Sequence, residues 1–91
     1  MFYVYVLKSQ VDHFLYTGAT SDLRKRMDKH NKGLIESTKD RKPFDLIYYE
    51  GCIDKRDAFR REKYLKSSYG KRFIKSRIKD YLGEYSTGQA G

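Results

Sequence analysis

Two short tyrosine-bearing segments near the start of the chain, Tyr3-Val4-Tyr5 and Tyr16-Thr17-Gly18, constrain its fold more than any other feature. Phe2 to Leu7 is dense in β-branched and aromatic residues and reads as a strand. A period of two places Phe2, Val4 and Val6 on one face and Tyr3, Tyr5 and Leu7 on the other. Both faces carry large side chains, so this strand needs cover on both sides. Ser9 to His13 is polar and turn-like, and Phe14 to Ala19 resumes the strand pattern. Strands this close in sequence form an antiparallel hairpin most simply. Gly18, near the end of the second strand, marks a bend or a close backbone approach.

Beyond the hairpin the period lengthens. Ser21 is placed to cap a helix beginning at Asp22, whose charge suits the positive end of the dipole. Leu23, Met27 and His30 recur at helical spacing on one face. Arg26 and His30, four apart, lie one above the other. Gly33 is a stop signal. Leu34 to Phe44 holds the only proline, Pro43, and reads as a loop. Asp45 to Glu50 reads as a third strand. Asp54 is placed to cap a second helix, with Asp57 imitating a capping box. Ala58, Glu62, Leu65 and Lys66 share a stripe of it. A carboxylate beside a packing face is unfavourable unless it is paired or metal-bound. Glu62 therefore needs a metal, a partner such as Arg61 or Lys66, or a way out to the rim. Ser67 to Gly70 interrupts the helix, and Lys71 to Leu82 forms a third, with Ile74, Ile78, Tyr81 and Leu82 inward. The expected architecture is α+β: a three-stranded, mostly antiparallel sheet flanked by helices in the order β-β-α-β-α-α. The domain spans residues 1–82, and 83–91 read as a flexible tail.

The chain carries 20 lysines and arginines against 12 acidic residues, a net charge of +8. Such a balance favours a polyanionic partner, nucleic acid before membrane, since no segment pairs a basic face with a large exposed apolar one. Lys25, Lys29, Lys32, Lys39, Arg41 and Lys42 are the candidates for backbone contact, with ordinary solvation as the alternative for each. The single cysteine, Cys52, excludes an intrachain disulfide and leaves a cysteine-based zinc site without partners. No apolar run is long enough to cross a bilayer, and no signal-peptide pattern opens the chain. A soluble, cytoplasmic protein is expected.

The two tripeptides, with Arg26, His30-Asn31, Ser37-Thr38-Lys39, Pro43, Tyr48-Tyr49-Glu50 and Arg61-Glu62-Lys63, resemble the GIY-YIG nuclease family, in particular its small single-domain bacterial members. The likeness runs from about Phe2 to Leu82. Tyr3 stands where the family has its first glycine, and Val4 and Thr17 stand for its isoleucines; both functional tyrosines are kept. The resemblance implies a metal-dependent endonuclease acting on DNA, structure-selective and linked to repair or recombination. It implies Glu62 as the single protein ligand of Mg2+ or Mn2+, and Arg26 as the group stabilising the scissile phosphate. It implies Tyr5 as the base for the attacking water, Tyr16 as its assistant, and His30 as an orienting group. No other cofactor is expected.

These residue types suit the chemistry. Phosphodiester hydrolysis needs an activated water, neutralised phosphoryl charge and help for the leaving oxygen. One carboxylate is enough for magnesium, which keeps waters and takes substrate phosphate oxygens. Arginine presents a planar fork of donors that stays charged. A tyrosine base needs a neighbouring cation, its ordinary pKa being near 10. The alternative is a basic module that grips nucleic acid, or recruits a repair complex, without cutting it.

Overall fold

The computed structural model describes residues 1–87. β1 (Phe2–Ser9) pairs antiparallel with β2 (Leu15–Thr20) on one side and with β3 (Phe44–Cys52) on the other, giving the order β2-β1-β3. The hairpin register sets Tyr5 opposite Gly18 and Leu7 opposite Tyr16. A bulge in the β1–β3 ladder between Val6 and Leu7 leaves Ile47 without an opposite residue, so Ile47 and Tyr48 both reach the same core cluster.

The expected two-sided cover is present. Val4 and Val6 are buried with Ala58, Leu65 and Ile74, which belong to α2 (Lys55–Leu65) and α3 (Ser68–Arg77). Tyr5, Leu7 and Phe44 form the opposite core, covered by Leu23 and Met27 of α1 (Leu23–Asn31). Strand alternation thus divides the interior into two layers, one under each set of helices.

Local signals move several boundaries from their sequence-based places. Asp22, not Ser21, caps α1, its carboxylate accepting from the Lys25 amide at 3.0 Å. Asp54 caps α2 as expected, but Asp57 turns outward to Arg60 at 2.9 Å instead of closing a capping box. A single 3₁₀ turn, Lys39–Arg41, lies within the connection to β3. Ser67 does not break the chain into a loop. It caps α3, accepting from the Gly70 amide at 3.2 Å, and Gly70 lies inside the helix. The expected helix from Lys71 to Leu82 is two helices, α3 and α4 (Lys79–Thr87), parted at Ile78. α4 therefore continues through part of the stretch expected to be a tail, and residues 88–91 lie outside the described residues.

α2 and α3 meet tightly at Gly70. A Cβ there would collide with the Tyr64 carbonyl and the Leu65 backbone, neither of which can swing aside. Gly70→Ala is expected to cost about 3 kcal/mol, as overpacking against fixed backbone does. Gly83→Ala, where a Cβ meets nothing within 4 Å among the described residues, should instead gain up to about 1 kcal/mol by lowering unfolded-chain entropy. Urea denaturation of the two variants should show midpoint shifts of opposite sign.

Candidate active site

The site is built outward from the Tyr5 phenol. The alternation of β1 turns this side chain toward α1, where it is fully buried. Room for its hydroxyl comes from Gly18, since a Cβ at that position would collide with it. The close approach expected at Gly18 is therefore made by a side chain.

Two residues of α1, four apart on one face, converge on this oxygen. Arg26 donates from Nε at 3.2 Å, and His30 places Nε2 at 2.9 Å. The other imidazole nitrogen, Nδ1, lies 2.8 Å from Thr38 Oγ1, which in turn approaches the Ile35 carbonyl at 3.5 Å. Arginine can only donate, so Tyr5 Oη accepts from Arg26. The arrangement that gives every buried proton an acceptor sends the phenol hydrogen to Nε2 and the Nδ1 hydrogen to Thr38. Tyr16 packs edge-on to the imidazole, with ring centroids 5.3 Å apart, and stays half-buried. Phe44 closes the far side at 5.8 Å.

This enclosure sets the protonation states. Burial lowers the pKa of His30 to about 4, and the charge of Arg26 pushes the same way, so the imidazole is neutral at physiological pH. Burial also raises the Tyr5 pKa, while the bond from Arg26 and its charge oppose that rise. The charges of Tyr16 and Glu62 add to it. The bond to Tyr5 raises Arg26.

Glu62 comes from the other side. Its helix, α2, packs over Val4 and Val6 rather than over Tyr5, yet its carboxylate is near enough to act on the Tyr5 phenol. The side chain is about 22% exposed and pairs with Lys66 at 3.1 Å. Arg61, the alternative partner, instead grips Glu50 through Nε at 2.7 Å and Nη2 at 3.2 Å, with Tyr48 donating to the same carboxylate. Glu62 is the one carboxylate among the charges that act on Tyr5. Among the described residues no three His, Cys, Asp or Glu side chains cluster as a metal-binding group. A divalent ion bound here would take Glu62 as its one protein carboxylate, which a hard cation such as magnesium tolerates because it keeps several waters. The residues fit such an ion, and Glu62 already holds a cation in Lys66.

Tyr5, Tyr16, Arg26 and His30 thus form one contact network, and Glu62 reaches it by charge. The proposed backbone contacts are more scattered. Lys32 is tied to Asp28 at 2.9 Å and Lys39 to Glu36 at 3.2 Å. Arg41 is turned inward to Asp12 at 3.1 Å. Lys25, Lys29 and Lys42 are exposed and make no ion pair among the described residues. Two partners carry more of the site than their sequence signals suggest. Thr38, read as a loop residue and as part of the family-like Ser37-Thr38-Lys39 with no role of its own, is buried against His30. Asn31 pins the end of α1 to β3, accepting from the Phe44 amide at 2.7 Å and donating to its carbonyl at 3.3 Å.

The family model of the GIY-YIG catalytic domain matches residues 1–78. The chain belongs to the GIY-YIG family. This is a nuclease family, so the domain is of a kind that acts on nucleic acid. Small bacterial relatives of this GIY-YIG chain carry the name UPF0213 protein. One from Clostridium perfringens is 46% identical over 67 residues, covering 72% of this chain and 71% of the relative. Another, from Staphylococcus saprophyticus, is 41% identical over 66 residues, 71% of this chain and 79% of the relative. A third, from Pediococcus pentosaceus, is 42% identical over 66 residues, 71% of this chain and 68% of the relative. No solved structure matches. No helix among the described residues is long and apolar enough to cross a membrane.

The neutral imidazole makes stability pH-dependent with a definite sign. His30 titrates near 4 when folded and near 6.5 when unfolded, so the unfolded chain binds the extra proton between those values. Its contribution is fully present above pH 6.5 and is lost as pH falls toward 4, at up to about 1.4 kcal/mol per unit. In urea titrations at pH 7, 6 and 5, His30→Gln should lack this part of the slope that the wild type shows.

Proposed function

We propose that this protein is a divalent-metal-dependent endonuclease that hydrolyses phosphodiester bonds in DNA. The observation that carries the reading is the convergence of Arg26 and His30 on the Tyr5 hydroxyl, under the charge of Glu62. An anion clamp, a proton acceptor and a proton sink thereby meet at one oxygen, with a cation-binding carboxylate acting on it by charge.

Arg26 spends Nε on Tyr5, which fixes the plane of its guanidinium and leaves the Nη end for two phosphate oxygens. Tyr16, half-buried beside the imidazole, steadies the attacking water. As that water's oxygen bonds to phosphorus, its proton passes to Tyr5 Oη, and the phenol's own proton moves to His30 Nε2. The bond from phosphorus to the leaving oxygen breaks, and its electron pair stays on that oxygen. The proton held at Nε2 then passes back to Tyr5 Oη as the phenol gives up the water's proton to the leaving oxygen. An imidazole with a pKa of about 4 gives up that proton readily and stays neutral at rest, so the relay runs only when phosphate charge sits nearby. Thr38 holds the ring with Nε2 toward the phenol. Glu62 would hold the divalent ion, Mg2+ or Mn2+, which when bound neutralises phosphoryl charge and supports the leaving oxygen.

So small a domain offers little surface for base-edge readout, so discrimination rests on DNA shape: branched, flapped or damaged structures of the kind repair and recombination produce. Labelled branched and flapped DNA incubated with Mg2+ or Mn2+ should be cut by the wild type and spared in chelator. Arg26→Ala and Glu62→Ala should each lower cleavage roughly 100-fold or more, with circular dichroism unchanged. Cleavage that persists in both variants would overturn the assignment. Salt-sensitive binding without turnover in the wild type would identify a non-catalytic binding module instead.

A further inference from the structure

Two adjoining hollows lie beside the candidate active site. A hollow of about 540 Å³ opens between the edge strand β2 and the α2–α3 pair; Tyr16 and Lys66 line it, and Phe14 and Leu15 stand at its edge. Tyr16 belongs to the phenol cluster and Lys66 to the Glu62 ion pair, so the hollow begins where the site ends. A second hollow, of about 760 Å³, shares Leu15 and Lys75 with the first and runs on to Lys79. Together they make one trough along α3 and into α4.

Its chemistry is uneven in an informative way. Among the described residues, none that lines either hollow is acidic. Lys71, Lys75 and Lys79 stand at successive four-residue steps along it, and none makes an ion pair among the described residues. In the connection after α1, Lys32, Lys39 and Arg41 are already paired, whereas Lys25 and Lys29 of α1 and Lys42 make no ion pair among the described residues. Phe14 is 67% exposed, with the Arg41 guanidinium 5.7 Å from the centre of its ring. Arg41 Nη2 is itself buried without a hydrogen-bond partner among the described residues.

We infer that this trough carries the single-stranded flank of the substrate away from the cut. The inference rests on the nuclease reading above and adds to it a substrate class, DNA with an unpaired strand next to the scissile bond. A row of unpaired lysines follows a phosphate backbone, and an aromatic face beside an apolar floor takes bases only when they are unstacked. A duplex keeps its bases inside and gains nothing from Phe14. The α1 lysines Lys25 and Lys29 remain for duplex backbone.

The test is equilibrium binding in chelator, where no cutting occurs, so it stands apart from the fate of the catalytic assignment. Fluorescence anisotropy of a labelled oligothymidine and of a blunt duplex of equal length is followed across a salt series. The double variant Lys71→Ala/Lys75→Ala should reduce the slope of log affinity against log salt on the single strand by about 1.4, two phosphates at about 0.7 each. Phe14→Ala should weaken single-strand binding about 10-fold with the slope unchanged. Blunt-duplex affinity should change less than 3-fold in both, and Lys71→Arg/Lys75→Arg should keep the wild-type slope. An unchanged single-strand slope in the double alanine variant, or equal losses on single strand and duplex, would overturn the inference. So would an unaltered single-strand affinity in Phe14→Ala.

Discussion

Everything in the candidate site depends on how one buried phenol is satisfied. Tyr5 sits on the middle strand, wholly out of solvent, and a hydroxyl in that place is costly unless it both donates and accepts. Arg26 and His30 meet the need from one helix face. The imidazole brought in to do so is also buried, and it meets its own need through Thr38. Each polar group put into the interior thus recruits the next, and the loop from residue 34 to 43 is drawn onto the sheet at the end of that chain. A network of this kind is rigid because loosening any member strands the others.

The same arrangement explains how helices on opposite faces act at one point. Strand alternation sends Tyr5 toward α1 and Val4 and Val6 toward α2. Arg26 then acts on the phenol by direct bond and lowers its pKa, while Glu62 acts through charge and raises it. Burial outweighs Arg26 and, with the charge of Glu62 added to it, holds the phenol neutral. A phenol and an imidazole that stay neutral at rest respond strongly to an arriving phosphate or cation, because little solvent is present to screen either.

Charge is spent in two ways across the surface. Some basic residues fasten the fold: Arg61 bridges α2 to β3 through Glu50, its guanidinium 4.7 Å from the centre of the Phe73 ring. Burial works against an ionised Glu50, but the bonds from Arg61 and Tyr48 prevail and hold its carboxyl below the ordinary range. Other cations, Lys71 and Lys75 of α3 among them, make no ion pair among the described residues.

Sequence by itself determined what depends on near neighbours and fixed periods. Alternation in Phe2–Leu7 required a strand covered on both faces. Spacing along the chain put Arg26 above His30 and set Glu62 beside Ala58 and Leu65, and the signature tripeptides with that arginine and glutamate identified the family. Tertiary structure alone decided the pairings that span long stretches of chain. That Thr38 serves His30, that Lys66 rather than Arg61 holds Glu62, that Arg41 turns to Asp12, and that the helix after Ser67 divides at Ile78 are choices among chemically equivalent partners. Local pattern cannot rank such partners, because what separates them is distance and burial after the chain has folded.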